Sequence, residues 1–207
     1  MGKTQIPQGK MSRREGVVLS TSGSVLKVMQ RRAFAPGQHG KAGGPPAKMS
    51  VYGQQLREKQ KAKRIYGIME RQFRNYFTKA VRLPGNTGEH LARLLETRLD
   101  NAIYRLGIAK TRPQARQMVS HCMFSVNGET VNIPSYTVAV GDIIEVRDNK
   151  KNKKLFGDIS DRLKTHTAAS WLHRESDMRG KVVSMPAGDD LKEAYDPKLI
   201  VEFYSMR

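Results

Sequence analysis

Apolar positions recur at helical spacing through the second quarter of the chain. Between Ser50 and Arg82 they return every three or four residues, which predicts a helical segment with one buried face. Ser50 is a candidate N-cap, and Gly67 is expected to weaken or bend the middle. The run at 84–88 then ends the helical pattern. The apolar positions are Tyr52, Leu56, Ala62, Tyr66, Met69, Phe73, Tyr76, Phe77 and Ala80.

A second pattern predicts two short helices after a helix that ends near Leu95. The first of the two is expected to begin with a capping box formed by Thr97 and Asp100, and to end at Gly107. The second is expected to begin at Thr111, whose side chain is a candidate N-cap. The residues predicted to face inward are Leu99, Ala102, Ile103, Leu106, Ala115, Met118, Val119 and Cys122.

Short strands are predicted directly after these helices. The dipeptide Asn127-Gly128 lies between Phe124–Val126 and Glu129–Val131, which is the sequence of a type I′ hairpin. Further strands are expected at 136–138 and 143–146. Residues 97–147 are therefore expected to form a compact module of two helices and a small antiparallel sheet.

The remaining segments carry weaker patterns. Residues 1–48 are predicted to be a basic arm rather than a domain, because Gly and Pro crowd positions 35–46 and only 17–28 offer one short ordered segment. Two interpretations of the arm stay open: a disordered tail, or an arm that becomes ordered on RNA. The charge run at 150–154 is predicted to be a solvated loop, and Trp171 a local packing residue.

Charge changes this picture, because it indicates a polyanionic partner. The chain has 207 residues, a formal net charge of +18 and an apolar fraction of 38%. Residues 1–50 hold nine basic and one acidic side chain, and residues 51–100 hold eleven and five. The other two quarters each carry a net charge of +2. A basic excess grouped in one half is typical of a nucleic-acid binder.

Several classes of protein and site are disfavoured. No apolar run is long enough for a membrane span, and the first ten residues lack the apolar stretch of a signal peptide. The single cysteine excludes an internal disulfide and a Cys-rich zinc site, and the histidines are scattered. The run Gly37-x-x-Gly40-Lys41 lacks the spacing of a nucleotide-binding P-loop. We therefore expect no metal, no cofactor, no membrane and no small-molecule substrate.

Arginine spacing suggests two basic faces. Arg57, Lys61 and Arg64 fall at i, i+4 and i+7, and we call them the basic ridge; Glu58 and Glu70 are the only acids from 51 to 88, too few to balance the positive charge by i,i+4 pairing. A second face is expected on the two short helices of the module. The full set of predicted RNA contacts is Arg13, Arg14, His39, Arg57, Lys61, Arg64, Arg71, Arg74, Arg98, Arg105, Lys110, Arg112, Arg116, Gln117, Ser120 and His121.

The chain resembles a known family at several long motifs. Arg98-Leu-Asp-Asn, Thr111-Arg-x-x-Ala-Arg-Gln and Val126-Asn-Gly, with Gly141-Asp, are similar to the small RNA-binding domain named after ribosomal protein S-four. The segments Pro36-Gly-Gln-His-Gly, Tyr52-Gly-x-Gln-Leu-Arg-Glu-Lys-Gln, Glu70-Arg-Gln-Phe-Arg and Leu199-Ile-Val-Glu-Phe-Tyr resemble bacterial-type ribosomal protein S-four itself.

The resemblance implies a fold and a function. It implies an α+β chain with a basic arm at 1–48, a mostly helical first domain at 49–93 with 181–207, and an inserted RNA-binding domain at 94–180. It also implies binding to small-subunit ribosomal RNA early in assembly, contact with ribosomal protein S-five, a role in translational accuracy and, in some members, repression of their own operon. The expected location is the small ribosomal subunit in the cytoplasm, with an organellar ribosome left open. Some members bind zinc through arm cysteines, which this chain lacks.

Two other functions remain as alternatives. Arg98-Leu-Asp100 matches the tripeptide around the catalytic aspartate of some pseudouridine synthases, although the 60 residues after Arg147 are too few for their catalytic domain. A ribosome-associated factor with the same RNA-binding module is the other alternative. Such a factor would not need the matching arm and C-terminus.

Overall fold

A computed structural model of the chain describes residues 6–37, 40 and 49–206. The chain folds as two units, each with its own core. Unit 1 comprises 1–91 and 192–207, and unit 2 comprises 92–191. Helices dominate unit 1, whereas unit 2 combines helices with an antiparallel sheet, so the predicted α+β class is confirmed. The domain boundaries expected at 93/94 and 180/181 stay a prediction about which parts fold independently.

Unit 1 begins with two helices in the segment expected to be an arm. Helix α1 spans Gln8–Glu15 and α2 spans Gly23–Arg31, and Met11, Leu19 and Val25 are buried. The backbone N–H of Leu19 also donates to the hydroxyl of Ser12 over 3.2 Å. The ordered segment is therefore longer than the one predicted, because apolar residues at wide spacing on two short helices share one small core.

The helical pattern after Ser50 forms two helices rather than one bent helix. Helix α3 spans Val51–Ile65, and α4 spans Glu70–Val81. The side chain of Ser50 accepts from the N–H of Gly53, which confirms the predicted N-cap. Gly67 has φ +62°, a left-handed conformation that ends the first helix instead of bending a longer one.

Residues 192–207 belong to unit 1. Helix α10 spans Pro197–Ser205 and packs on α3, burying Ile200 and Phe203. The ring of Tyr52 lies 5.6 Å from that of Phe203, and Gln55 Nε2 donates to Glu202 Oε2 over 3.0 Å. These contacts join residues about 150 positions apart in the sequence into one core.

Unit 2 contains five antiparallel strands in the order β2-β1-β3-β5-β4. The strand bounds are β1 Phe124–Val126, β2 Glu129–Val131, β3 Ile143–Val146, β4 Leu172–Ser176 and β5 Arg179–Val182. Asn127 and Gly128 have φ values of +51° and +85°, which confirms the type I′ hairpin. The hairpin of β4 and β5 was not predicted; β5 runs across the boundary expected at 180/181.

Unit 2 also contains helices, which are α5 Thr87–Glu96, which begins in unit 1, α6 Leu99–Arg105, α7 Arg112–Ser120, α8 Asp148–Lys151 and α9 Ile159–Thr165. Of these, α6, α7 and α9 contribute residues to the apolar core that they share with the sheet. The charge run at 150–154 thus begins in α8 rather than in a loop. Trp171 is fully buried in the core, so its predicted role in local packing was too narrow. The side chain of Cys122, expected inside, is only half-buried, because its residue leaves the helix at φ +53°.

The predicted capping box at Thr97 and the predicted strand at 136–138 are both wrong, because the backbone at 134–138 pairs with the start of α6. Arg98, not Thr97, is the N-cap residue, and the Thr97 hydroxyl donates backward to the carbonyl oxygen of Arg93 over 3.0 Å. The expected strand at 136–138 is a single bridge between Arg98 and Thr137. Its backbone pairs with the start of α6 instead, since the N–H of Leu99 donates to Tyr136 O over 2.8 Å.

Candidate nucleic-acid interface

Helices α6 and α7 place a row of arginines at the surface of unit 2. Leu99, Ile103, Ala115 and Val119 are fully buried in the core, so the opposite faces of both helices carry the polar side chains. Thr111 caps α7 by accepting from the N–H of Gln114, as predicted. We call this polar side the arginine face. Arg105, Arg112 and Arg116 form its surface, and the buried residues beneath them are Glu96 at the end of α5, Arg98, Asp100 and Asn101.

Asp100 joins two arginines of this face. Its carboxylate accepts from Arg98 Nε and Nη2 over 3.0 and 2.9 Å, a two-point contact in which both side chains are buried. The same carboxylate accepts from Arg116 Nε over 3.1 Å, and Arg116 Nη2 lies 3.0 Å from Oδ2. The side chain of Arg116 is 22% exposed, so Asp100 links a buried arginine to one that reaches solvent.

Glu96 likewise accepts hydrogen bonds from side chains of the arginine face, here from Arg105 and Asn101. Its fully buried carboxylate accepts from Arg105 Nε and Nη2 over 2.9 and 3.0 Å. It also accepts from Asn101 Nδ2 over 2.9 Å, and Asn101 Oδ1 accepts from Arg112 Nε over 2.7 Å. The guanidinium of Arg112 lies 4.6 Å from the ring centre of Tyr104, a cation–π distance. Arg105 and Arg112 are thus held but partly exposed.

The structure separates the predicted contacts of this unit into three positions. Arg98 is 1% exposed, so it lies beneath the face rather than on it. Arg105, Arg112 and Arg116 lie on the face, with Ser120 beside them; its hydroxyl donates to the carbonyl oxygen of Arg116. Further exposed side chains follow at the rim. They are Lys110, Gln117 and His121.

Sequence reasoning missed the residues that hold the face together. Glu96 was not singled out, and Asp100 was interpreted as part of a capping box. The i,i+9 separation of Glu96 and Arg105 crosses from one helix to the next, so helical spacing does not reveal it. The one available signal was a pair of acids within a basic segment.

The basic ridge of unit 1 lies partly against the arm. Glu15 is fully buried at its side chain and pairs with Arg57 over 3.4 Å and with Arg64 at close range. The pKa of Arg64 is lowered, mainly by burial and also by the charges of Arg57 and Arg14. The opposite charge of Glu15 offsets only part of this effect. Lys61 Nζ pairs with Glu58 over 2.6 Å. An acid of the arm therefore offsets part of the positive charge of the ridge, in addition to Glu58.

Helix α4 presents a more open basic surface. Arg71 and Arg74 are exposed, whereas Phe73 is buried. At its start, the Glu70 carboxylate pairs with Lys59 over 2.9 Å and Lys63 over 2.8 Å.

In that cluster, burial would raise the pKa of Glu70. Hydrogen bonds from Lys63, Lys59 and Tyr204 outweigh this effect and lower the pKa to about 2. Glu70 therefore stays ionised at neutral pH and offsets part of the charge of Lys59 and Lys63.

The predicted arm residues are placed as follows. Arg13 Nε donates to Phe34 O over 2.9 Å, and its guanidinium lies 4.9 Å from the Phe34 ring centre. Arg14 is exposed on α1. His39 lies outside the described residues.

Across 6–37, 40 and 49–206, three or more His, Cys, Asp or Glu side chains nowhere group in a way that could hold a metal ion. Within the same ranges, no helix has both the length and the apolar character needed to cross a membrane.

Comparison with known proteins assigns the family. Residues 3–96 match the ribosomal protein S4/S9 N-terminal domain, and residues 97–144 match the S4 domain. The small ribosomal subunit protein uS4 of Pelotomaculum thermopropionicum is 50% identical over 201 residues, which cover 95% of each chain. The uS4 protein of Persephonella marina is 48% identical over 208 aligned positions, covering 100% of both. The chain belongs to the small ribosomal subunit protein uS4 family.

The match to the uS4 family agrees with the sequence-based resemblance and sharpens it. The S4 domain of this family begins at residue 97, so it holds the arginines of the face, whereas Glu96 precedes it. The S4-domain match ends at residue 144, within β3. Strands β4 and β5 of this uS4 family member therefore complete the sheet from sequence beyond the domain match.

Proposed function

We propose that the chain is a structural component of the small ribosomal subunit that binds small-subunit ribosomal RNA. Arg105, Arg112 and Arg116 of the arginine face would contact phosphates and 2′-hydroxyl groups, which are the features that RNA helices present to proteins. The exposed basic residues of α4 and of the arm add charge, whose neutralisation of phosphates releases counterions and supplies affinity. The observation that carries the proposal is the row of partly exposed, fixed arginines in a member of the uS4 family.

The finer parts of the proposal concern partners and location. They are contact with neighbouring ribosomal proteins including S-five, a contribution to translational accuracy, repression of its own operon, and a cytoplasmic location on the ribosome. They rest on the family alone.

A non-enzymatic role is part of the proposal. Asp100, the residue that matches the catalytic position of some pseudouridine synthases, is 4% exposed and bound to two arginines. A carboxylate held in this way is poorly placed to attack a base. We expect no conversion of uridine in small-subunit RNA, and turnover by the purified chain would contradict this part.

Binding to small-subunit RNA tests the main proposal. The double variant Arg112→Ala with Arg116→Ala should raise the Kd at least about tenfold, because each arginine supplies charge-assisted hydrogen bonds. The matched control is Lys153→Ala with Lys154→Ala, which removes the same charge from exposed positions of the same unit.

Two further measurements are made on both double variants. The slope of log K against log salt should become shallower by about 1 to 2 for the arginine pair. Fluorescence of Trp171, the single tryptophan, verifies that unit 2 is folded. Equal losses for the two double variants would contradict the placement of the interface, and absence of binding by the unaltered chain would contradict the function.

A further inference from the structure

The least expected members of the arginine face are its two acids. The proposed partner is a polyanion, and a carboxylate close to RNA repels phosphate. Yet the side chains of Glu96 and Asp100 are 0% and 5% exposed, and both lie among arginines. Their presence directly beneath the arginines proposed to contact phosphate requires a reason other than net charge.

The contacts of these acids supply one. Asp100 takes hydrogen bonds from buried Arg98 and from partly exposed Arg116, so Arg98 anchors the carboxylate that orients Arg116. Glu96 holds Arg105 at two points and, through the amide of Asn101, fixes the Nε of Arg112. Each partly exposed guanidinium is thus fixed through its Nε, which sets the plane of the guanidinium group.

Orientation before binding has a thermodynamic consequence. A free arginine side chain samples many rotamers, and ordering such a side chain in an interface reduces affinity. A surface on which three arginines are already ordered avoids much of that loss. The four guanidinium groups still exceed the two carboxylates, so the cluster keeps a positive charge for phosphate.

We propose that Glu96 and Asp100 are positioning residues for RNA binding, because their buried carboxylates hold Arg105, Arg112 and Arg116 in the arrangement that contacts phosphates. This inference rests on the proposed function. It makes a prediction opposite in sign to that of bulk electrostatics. Removing an acid from a protein that binds a polyanion should tighten binding, whereas removing a positioning acid should weaken it.

The isosteric variants Asp100→Asn and Glu96→Gln separate these two predictions. Each keeps the shape of the side chain and raises the net charge by one unit. We expect the Kd for small-subunit RNA to rise about tenfold for each, and the salt slope to become shallower by about 1. The matched controls are Asp161→Asn and Glu129→Gln, which neutralise exposed acids of the same unit and should leave binding equal or slightly tighter.

A double-mutant cycle distinguishes positioning from general destabilisation. If Asp100 acts through Arg116, then Asp100→Asn should weaken binding much less in an Arg116→Gln background than in the unaltered chain. A loss of stability alone would weaken both backgrounds equally. Trp171 fluorescence and urea unfolding show whether each variant is folded under the binding conditions.

Each outcome decides between the inference and the proposed function. Binding by the unaltered chain together with unchanged or tighter binding by folded Asp100→Asn and Glu96→Gln would overturn the inference and leave the proposed function intact. Absence of RNA binding by the unaltered chain would contradict the proposed function itself. If both acid variants fail to fold, Arg116→Lys, which keeps the charge at a partly exposed site but loses the two-point contact to Asp100, should still weaken binding; unaltered affinity would overturn the inference.

Discussion

Gly180 in strand β5 is a position where one methyl group should disturb the support of the arginine face. A Cβ at this position would lie 2.6 Å from Leu106 Cδ2 and 2.8 Å from Cδ1. Carbon atoms in favourable contact are about 3.5–4.0 Å apart, so Leu106 would have to move by about 1 Å. Leu106 is 1% exposed in the core and directly follows α6, which leaves its side chain little space for that movement.

The expected cost of Gly180→Ala follows from two opposing effects. Overpacking of a core lowers the free energy of unfolding by about 1–3 kcal/mol. Replacing glycine by alanine in an ordinary strand conformation raises it by about 0.5–1 kcal/mol, because the unfolded chain loses conformational freedom. We expect a net loss of about 1–2 kcal/mol in the free energy of unfolding. With a urea m-value of about 2 kcal/mol per molar, the midpoint should fall by about 0.5–1 M.

Urea unfolding followed by Trp171 fluorescence measures this change, because the single tryptophan is buried in the same core. Gly157→Ala is the control: its φ is −56° and its Cβ would lie 3.4 Å from the nearest atom, an ordinary contact. In a Leu106→Ala background, Gly180→Ala should cost much less, since the clash is gone. An unchanged or higher midpoint for Gly180→Ala alone would refute the packing argument.

Two further perturbations test the charge and the turn. The folded-state pKa of Glu70, about 2, lies below its ordinary value of 4.5, so its contribution to stability is present above pH 4.5 and is lost as the pH falls through about 2. With 47% of its side chain exposed, solvent screens its ion pairs, and Glu70→Gln should remove about 1 kcal/mol or less at pH 7 and less still at pH 2; an equal loss at both values, measured by urea unfolding, contradicts this pairing. Asn127→Ala should lower the free energy of unfolding by about 1–2 kcal/mol, because alanine disfavours φ +51° and the hydrogen bond from Asn127 to Asp142 is lost. Asn127→Gly loses the same hydrogen bond but tolerates this φ, so it should cost less. Equal costs for the two variants would show that backbone conformation is not the cause.

The accuracy of sequence-based prediction differed with the range of the interactions involved. The N-cap at Ser50 and the turn at Asn127-Gly128 were predicted correctly, because each depends on residues within a few positions of one another. The strand expected at 136–138 was wrong, because its backbone partners lie at the start of α6, almost forty residues earlier. Local patterns do not report which distant segment a stretch of backbone will pair with.

The same distinction applies to the candidate site. The spacing of Arg112 and Arg116 placed both on one side of α7, and the structure has them there. Arg98 was assigned to that surface, yet it is buried, because its partner Asp100 draws the guanidinium inward. The pairing of the basic ridge with Glu15 was equally hidden, since 42 residues separate that acid from Arg57.

The discontinuous sequence of unit 1 has a consequence for synthesis. Helix α10 completes the core around Tyr52 and Phe203, but it is translated only after every residue of unit 2 has been made. Closing a loop of nearly 150 residues also costs more chain entropy than forming the nearer contacts of the β-sheet. We therefore expect unit 2 of the nascent chain to fold first, whereas α3 can complete its packing only after α10 has been synthesised.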